Sequence, residues 1–280
     1  MTARQALVTI ALGEDYIRLF QEKAEPGWKT YCDRHGFDLV VFEIALDDSP
    51  RAQARSPSWQ KCLILERPEL APYRQICWVD ADIMIRPESP SVFAGVPEDM
   101  VGGVDAYAVP NFSVYTDVLA RMYDSWRSMG ARFLDCPTPE SFYTARGLPG
   151  GVDSVMHAGV MVASPKHHAG LFRHVYDAYE DVDGKATNYE WGPMSLEVMR
   201  RGLAHWIDYR FNLILSDQIE HHYRFLHRNL FAHLLAPGQE STAQALQKLV
   251  FDACLKEIYA NGFFMHFCGL PEVMRGFDPS

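Results

Sequence analysis

The chain has 280 residues, of which 48% are hydrophobic and 22% charged, enough apolar material for a sizeable core and too much for a disordered polypeptide. Its formal net charge of -10 excludes the basic footprint of a general nucleic-acid binder, but not a phosphate-bearing ligand, since a bound cation can supply positive charge locally. The six cysteines (32, 62, 77, 136, 254, 268) form no C-x-x-C pair, no stretch approaches the ~20 apolar residues of a membrane helix, and the short apolar N-terminus lacks a cleavage-site pattern, so a soluble, cytoplasmic protein with reduced thiols is expected.

In chain order, Ala6 to Leu12 predicts a strand turned by Gly13, followed by a helix over about 15–35 with Tyr16, Phe20 and Ala24 on one face. Phe37 to Ile44 is strand-like, and strand, helix, strand is the opening of a parallel α/β sheet. Ser56-Pro57 starts a helix, as a cap with proline at the first helical position, and Pro68 stops it. A strand then runs through Ile76-Cys77-Trp78-Val79 and resumes at Ile83-Met84-Ile85, and another spans Val101 to Val109. Residues 129–153, dense in Pro and Gly, predict a functional or mobile loop. A strand over Val155 to Ala163 and a helix over His168 to Tyr179 follow. A polar connection at 181–188 then precedes a short helix around 193–201. After a break at Pro237-Gly238, a helix capped by Ser241 or Thr242 runs to Asn261-Gly262, and a last strand, Phe263 to Phe267, leads into Cys268-Gly269.

Asp80-Ala81-Asp82 interrupts the most apolar of these strands. Carboxylates placed there carry a heavy desolvation penalty unless a cation meets them. On a strand, residues two apart share a face, so both carboxylates would reach one hard divalent ion carrying a phosphate-bearing ligand. The competing reading puts them in a turn after the strand, bonding only backbone. Ligands of open α/β sheets lie beyond the carboxyl ends of the strands, which makes Thr9, Ala11, Glu14 and Tyr16 candidates to hold a base or ribose. Lys61 sits in the first turn of its helix against the macrodipole, beside Trp59, Arg51 and Arg55, where it is either a phosphate contact or a solvated side chain. His266, in an apolar strand, is either a hydrogen-bonded core residue or a metal ligand. Asp208 is left between turn and site.

Four stretches stand in order: Trp59-Gln60-Lys61, the apolar-framed Trp78-Val79-Asp80-Ala81-Asp82-Ile83, His157-Ala158-Gly159-Val160-Met161-Val162, and His266-Phe267-Cys268-Gly269. Together, with the second as a D-x-D-like motif, they resemble the metal-dependent nucleotide-sugar glycosyltransferases of the GT-A fold, nearest to the glycogenin and bacterial lipopolysaccharide galactosyltransferase family and to the yeast-type α-mannosyl- and galactosyltransferases. The resemblance implies an α/β, GT-A-like (Rossmann-like) mixed, mainly parallel sheet flanked by helices in a single domain. Residues 1–110 would form the nucleotide-binding half, 111–235 the acceptor and donor-sugar half, and 236–280 a helix and tail returning to the metal site.

It further implies that Asp80, Asp82 and His266 hold Mn2+ (or Mg2+), and that Thr9, Ala11, Tyr16, Trp59, Lys61, Asp80, Ala81 and Gly269 line the donor. Glu190, Asp153 and Lys61 are the implied catalytic residues, the carboxylates as acceptor base or oxocarbenium stabiliser. The implied reaction moves a hexose from a nucleoside diphosphate sugar, a UDP-sugar, to a glycan, lipid-linked or small-molecule acceptor hydroxyl with retention. No nucleic-acid partner and no transmembrane segment are expected. The chain departs from the family pattern at His157, where Asn is usual, and at Tyr189-Glu190-Trp191-Gly192-Pro193, near where an Asp-Gln pair usually meets the sugar. A metal-dependent nucleotidyltransferase or phosphohydrolase, and a non-catalytic nucleotide-sugar-binding protein, are the alternatives; the absent Gly-rich phosphate loop counts against the former.

Overall fold

A computed structural model describes residues 4–128, 136–181, 190–228, 231 and 239–279. Its centre is a six-stranded sheet of β1 (Gln5–Ile10), β2 (Asp38–Phe42), β3 (Gln75–Val79), β5 (Val101–Asp105), β6 (Met156–Ala163) and β7 (Ala204–Trp206), in the order β2-β1-β3-β6-β5-β7. Only β6 opposes its neighbours; the others share one direction. A second sheet joins β4 (Ile83–Ile85) to β9 (Phe264–His266) and β9 to β8 (Leu213–Ile214).

The strands carry apolar side chains on both faces, as a sheet covered on both sides must. Leu7, Cys77, Val79 and Val162 face a core built with Phe20, Trp28 and Tyr31 of the first helical segment, with Tyr115 and Leu119 of helix Phe112–Ser128, and with Leu255 and Ile258 of helix Glu240–Asn261. Val8, Ile76, Trp78 and Met161 face a second core with Trp59 and Ile64 of the turn-rich helix Pro57–Glu66, with Phe172 and Val175 of helix Pro165–Ala178, and with Met194 and Val198 of helix Trp191–Arg200. The first helical segment, Glu14–Leu19 through Phe20–Ala24 to Glu25–His35, spans the range expected and is capped by Gly36, whose φ of 71° is the left-handed conformation a Cβ disfavours.

The strand expected through the Asp pair is not continuous. β3 stops at Val79, β4 starts at Ile83 in the other sheet, and Asp80 to Asp82 form a tight turn closed by the Ile83 N–H donating to the Asp80 carbonyl at 3.1 Å. The strand expected to reach Val109 ends at Asp105, whose carboxylate accepts from the Tyr107 N–H at 2.8 Å and bends the chain. Within the loop expected at 129–153, Thr138 and Ser141 form a reciprocal cap on a short helix, Pro139–Thr144; residues 129–135 lie outside the described residues. So do Tyr189, Pro237-Gly238 and nearly all of the connection at 181–188. No described helix is long and apolar enough to cross a membrane.

Candidate metal centre

Two strand ends and one neighbour build the centre. β3 delivers Asp80, whose N–H donates to the Gly159 carbonyl of β6 at 2.8 Å, and β9 runs antiparallel to β4 with His266 opposite Ile83. The Phe267 N–H donates to the Asp82 carbonyl at 3.0 Å, which ties the tail to the turn. The result is one cluster in which a ligand atom from each of Asp80, Asp82 and His266 lies within 4.8 Å of the other two. His266 Nε2 is 3.2 Å from Asp82 Oδ1 and 4.0 Å from Asp80 Oδ2. Two carboxylates and an imidazole on so small a circle suit a divalent cation.

Beneath the cluster lies a buried cation. Lys61 Nζ donates to Asp80 Oδ1 at 2.9 Å and to the Ala158 carbonyl at 3.2 Å, and is 2.7 Å from Glu190 Oε1, while its side chain is 3% exposed. The Trp78 indole N–H also donates to Asp80 Oδ1, at 2.7 Å. Burial works to lower the Lys61 ammonium, but the Asp80 and Glu190 carboxylates overcome it and hold the group charged. Burial raises Asp80 against the opposing pull of Lys61 and His266. Burial also works against Asp82, yet His266 holds that carboxyl below its usual range. His266 itself is raised well above an ordinary imidazole; burial opposes this and the Asp82 carboxylate outweighs it.

The sequence yields no match to a family model and none to a curated protein. Among solved structures, the chain is similar to a glycosyltransferase involved in the glycosylation of the major capsid of PBCV-1, at 12% identity and a TM-score of 0.53 over 97% of this chain and 99% of that one. The chain has the GT-A fold. Similarity also extends to the galactosyltransferase LgtC, solved with donor and acceptor sugar analogues (12% identity, TM-score 0.46, 94% of this chain and 87% of that one), and to mouse xyloside xylosyltransferase 1 (11%, 0.46, 96% and 99%).

Within this GT-A frame the residues singled out from the sequence fall into two sets. Tyr16 stands at the cluster, its hydroxyl raised by burial and by the Asp82 and Asp80 carboxylates. Glu190 is buried against Lys61, with Oε2 lacking a partner among the described residues. Gly269, at φ 71°, shapes the turn after His266 and Cys268. Thr9 and Ala11 are fully buried at the end of β1, and Ala81 is buried in the core. Trp59 is buried too, its indole N–H turned to Asp181 at 2.5 Å and its ring under Arg55. Asp153 is exposed in the segment before β6 and is not among the residues that form the cluster. Asp208 is a turn residue, accepting from the Arg210 N–H at 2.9 Å. His157 lies buried and stacked on Trp191, with ring centroids 5.0 Å apart, and burial lowers its pKa to about 3, so the ring is neutral.

Sequence reasoning missed Asn212, which bonds His266, and Asp217 on helix Leu215–His222. Asp217 is buried and has no cationic ion-pair partner among the described residues; burial pushes its carboxyl up to about 7, against the Ser216 hydroxyl at 3.4 Å and the charge of His266. The folded protein therefore holds this proton over a pH range in which the unfolded chain releases it, and the contribution of Asp217 to stability falls as pH rises from about 4 to about 7. At 1.36 kcal/mol per pKa unit, that loss reaches roughly 4 kcal/mol. Asp217→Asn is expected to raise the melting temperature near pH 8 and to leave it almost unchanged near pH 4.5; equal shifts at both would contradict the assignment.

Proposed function

We propose that the chain is a metal-dependent glycosyltransferase that moves a hexose from a UDP-sugar to an acceptor hydroxyl with retention. The observation that carries this reading is the Asp80–Asp82–His266 cluster at the end of β3 in a GT-A fold, over a buried Lys61. Asp80, Asp82 and His266 would hold a divalent cation, manganese before magnesium, because one of the three ligands is an imidazole. When bound, that ion supplies Lewis-acid stabilisation of the charge on the departing diphosphate.

The chain's own residues do the rest by position. The ammonium of Lys61 already meets Asp80, Glu190 and the Ala158 carbonyl, so no donor is left for a phosphate. Lys61 therefore serves to fix two buried carboxylates rather than to touch the donor. Glu190 keeps one oxygen, Oε2, without a partner among the described residues, and a carboxylate there would stabilise positive charge at the anomeric carbon. Tyr16, beside Asp82, stays protonated and can donate to a ligand oxygen. Five of the six cysteines are buried, which suits the reduced thiols of a cytoplasmic setting.

Incubating the protein with manganese, a panel of UDP-sugars and small glycan acceptors tests the reading. The expected products are UDP and a glycosylated acceptor of unchanged anomeric configuration. Release of pyrophosphate or inorganic phosphate would point instead to nucleotidyl transfer or phosphate hydrolysis, and binding without turnover to a non-catalytic protein.

A further inference from the structure

His266 has two ring nitrogens, and only one of them faces the carboxylates. The other, Nδ1, is 2.8 Å from Asn212 Oδ1, and both residues are buried. Asn212 ends the turn Tyr209–Asn212 that feeds β8, and β8 lies parallel to β9 with Ile214 opposite His266. Asn212 thus stands two residues before the one paired with His266, and its amide reaches the ring at the distance given. An amide oxygen can only accept, so this contact requires the hydrogen on Nδ1. In the neutral ring the lone pair is then on Nε2, the atom 3.2 Å from Asp82 Oδ1.

Gly159 on β6 makes the arrangement possible from the other side. A Cβ at that position would fall 2.8 Å from His266 Cε1, 3.0 Å from Nδ1 and 3.2 Å from Asn212 Nδ2, so the bare backbone of β6 is the surface on which the pair rests. Asn212 Nδ2 has no partner among the described residues, which leaves the bond to His266 as the contact that sets the amide's orientation. Turned over, the amide would donate to Nδ1, force the proton onto Nε2 and block ligation.

We propose that Asn212 is a positioning residue of the metal centre, holding His266 as the Nδ1–H tautomer so that Nε2 points at a cation shared with Asp80 and Asp82. The inference rests on the metal-binding reading above. Partners of this kind, one shell out from a metal, are worth about 10–100-fold in affinity.

Manganese titration of the wild type, Asn212→Leu and Asn212→Asp tests it, with melting temperatures measured on the same samples. Asn212→Leu keeps the approximate volume but offers no acceptor, and its manganese affinity should fall by about 10–100-fold. Asn212→Asp restores an acceptor to Nδ1 and should recover affinity to within a few-fold of the wild type. A side chain that merely fills the core would give neither the loss nor the recovery, and unaltered affinity in Asn212→Leu would overturn the proposal. Should Asn212→Leu fail to fold, nitrogen-15 NMR of His266 in the zinc-loaded wild type decides: the proton on Nδ1 supports the assignment and the proton on Nε2 overturns it. A wild type that binds no divalent metal would overturn both readings, whereas a wild type that binds metal indifferently to Asn212 overturns this one alone.

Discussion

Lys61→Met is expected to destabilise the protein by about 3–5 kcal/mol, the loss that follows when one partner of a buried ion pair is removed and the other charge is stranded. Here two carboxylates are stranded: Asp80 at 2.9 Å, and Glu190 at 2.7 Å, itself only 2% exposed. At this chain length the melting temperature should drop by roughly 10 °C. Adding Glu190→Gln to Lys61→Met should recover part of that loss, because one stranded charge is then neutral. A Lys61→Met protein with the wild-type melting temperature would mean that the contacts of Lys61 with Asp80 and Glu190 do not stabilise the fold.

His266→Ala should weaken manganese binding by about 100-fold or more, since even outer-shell partners of a metal are worth about 10–100-fold. The wild type should also bind manganese more tightly as pH rises. Its imidazole is raised well above the ordinary value, with burial opposing and the Asp82 carboxylate prevailing, so ligation must displace a proton from Nε2. The same shift fixes the sign of the metal-free stability profile. The protonated His266 stabilises the fold fully below the ordinary imidazole value, and that contribution is lost as pH rises through its raised native pKa. In His266→Ala the pH dependence of metal affinity should flatten. A variant that loses melting temperature but keeps both its manganese affinity and its pH dependence would make His266 a core residue only.

Much of this was legible in the sequence because local physics and tertiary structure agreed. The apolar runs around Val8, Trp78 and Val162 form the central strands, and Ser56-Pro57 starts a helical segment stopped before Pro68. The Asp pair stands out by its incongruity, two charges in an apolar run, but its geometry comes from the turn between β3 and β4 and not from strand alternation. A turn between two sheets aims Asp80 and Asp82 at His266, and which strands share a sheet is settled by long-range pairing that no local pattern contains.

Helix Phe112–Ser128 carries a signal in the sequence that the expected elements do not include: Tyr115, Val118, Leu119 and Met122 repeat at helical spacing and are buried. Asn212 and Asp217 gave no such signal. Asn212 ends a turn in a polar-aromatic stretch, and Asp217 looks like any acidic residue in a first helical turn. Only the packing of β8 against β9 and of helix Leu215–His222 beneath the centre buries them. The sequence singles out Lys61 but offers it as a phosphate contact or a solvated side chain; its burial between Asp80 and Glu190, the latter far along the chain, follows from no local pattern.

The most direct test of the account is a calorimetric titration of UDP into the protein, once with manganese present and once after EDTA. Asp80 and Asp82 give the centre a negative face, so a diphosphate approaches favourably only where a cation lies between. UDP should therefore bind with manganese and lose nearly all measurable affinity in EDTA, and Asp82→Asn should mimic the EDTA result. Equal UDP affinity with and without the metal would contradict the account.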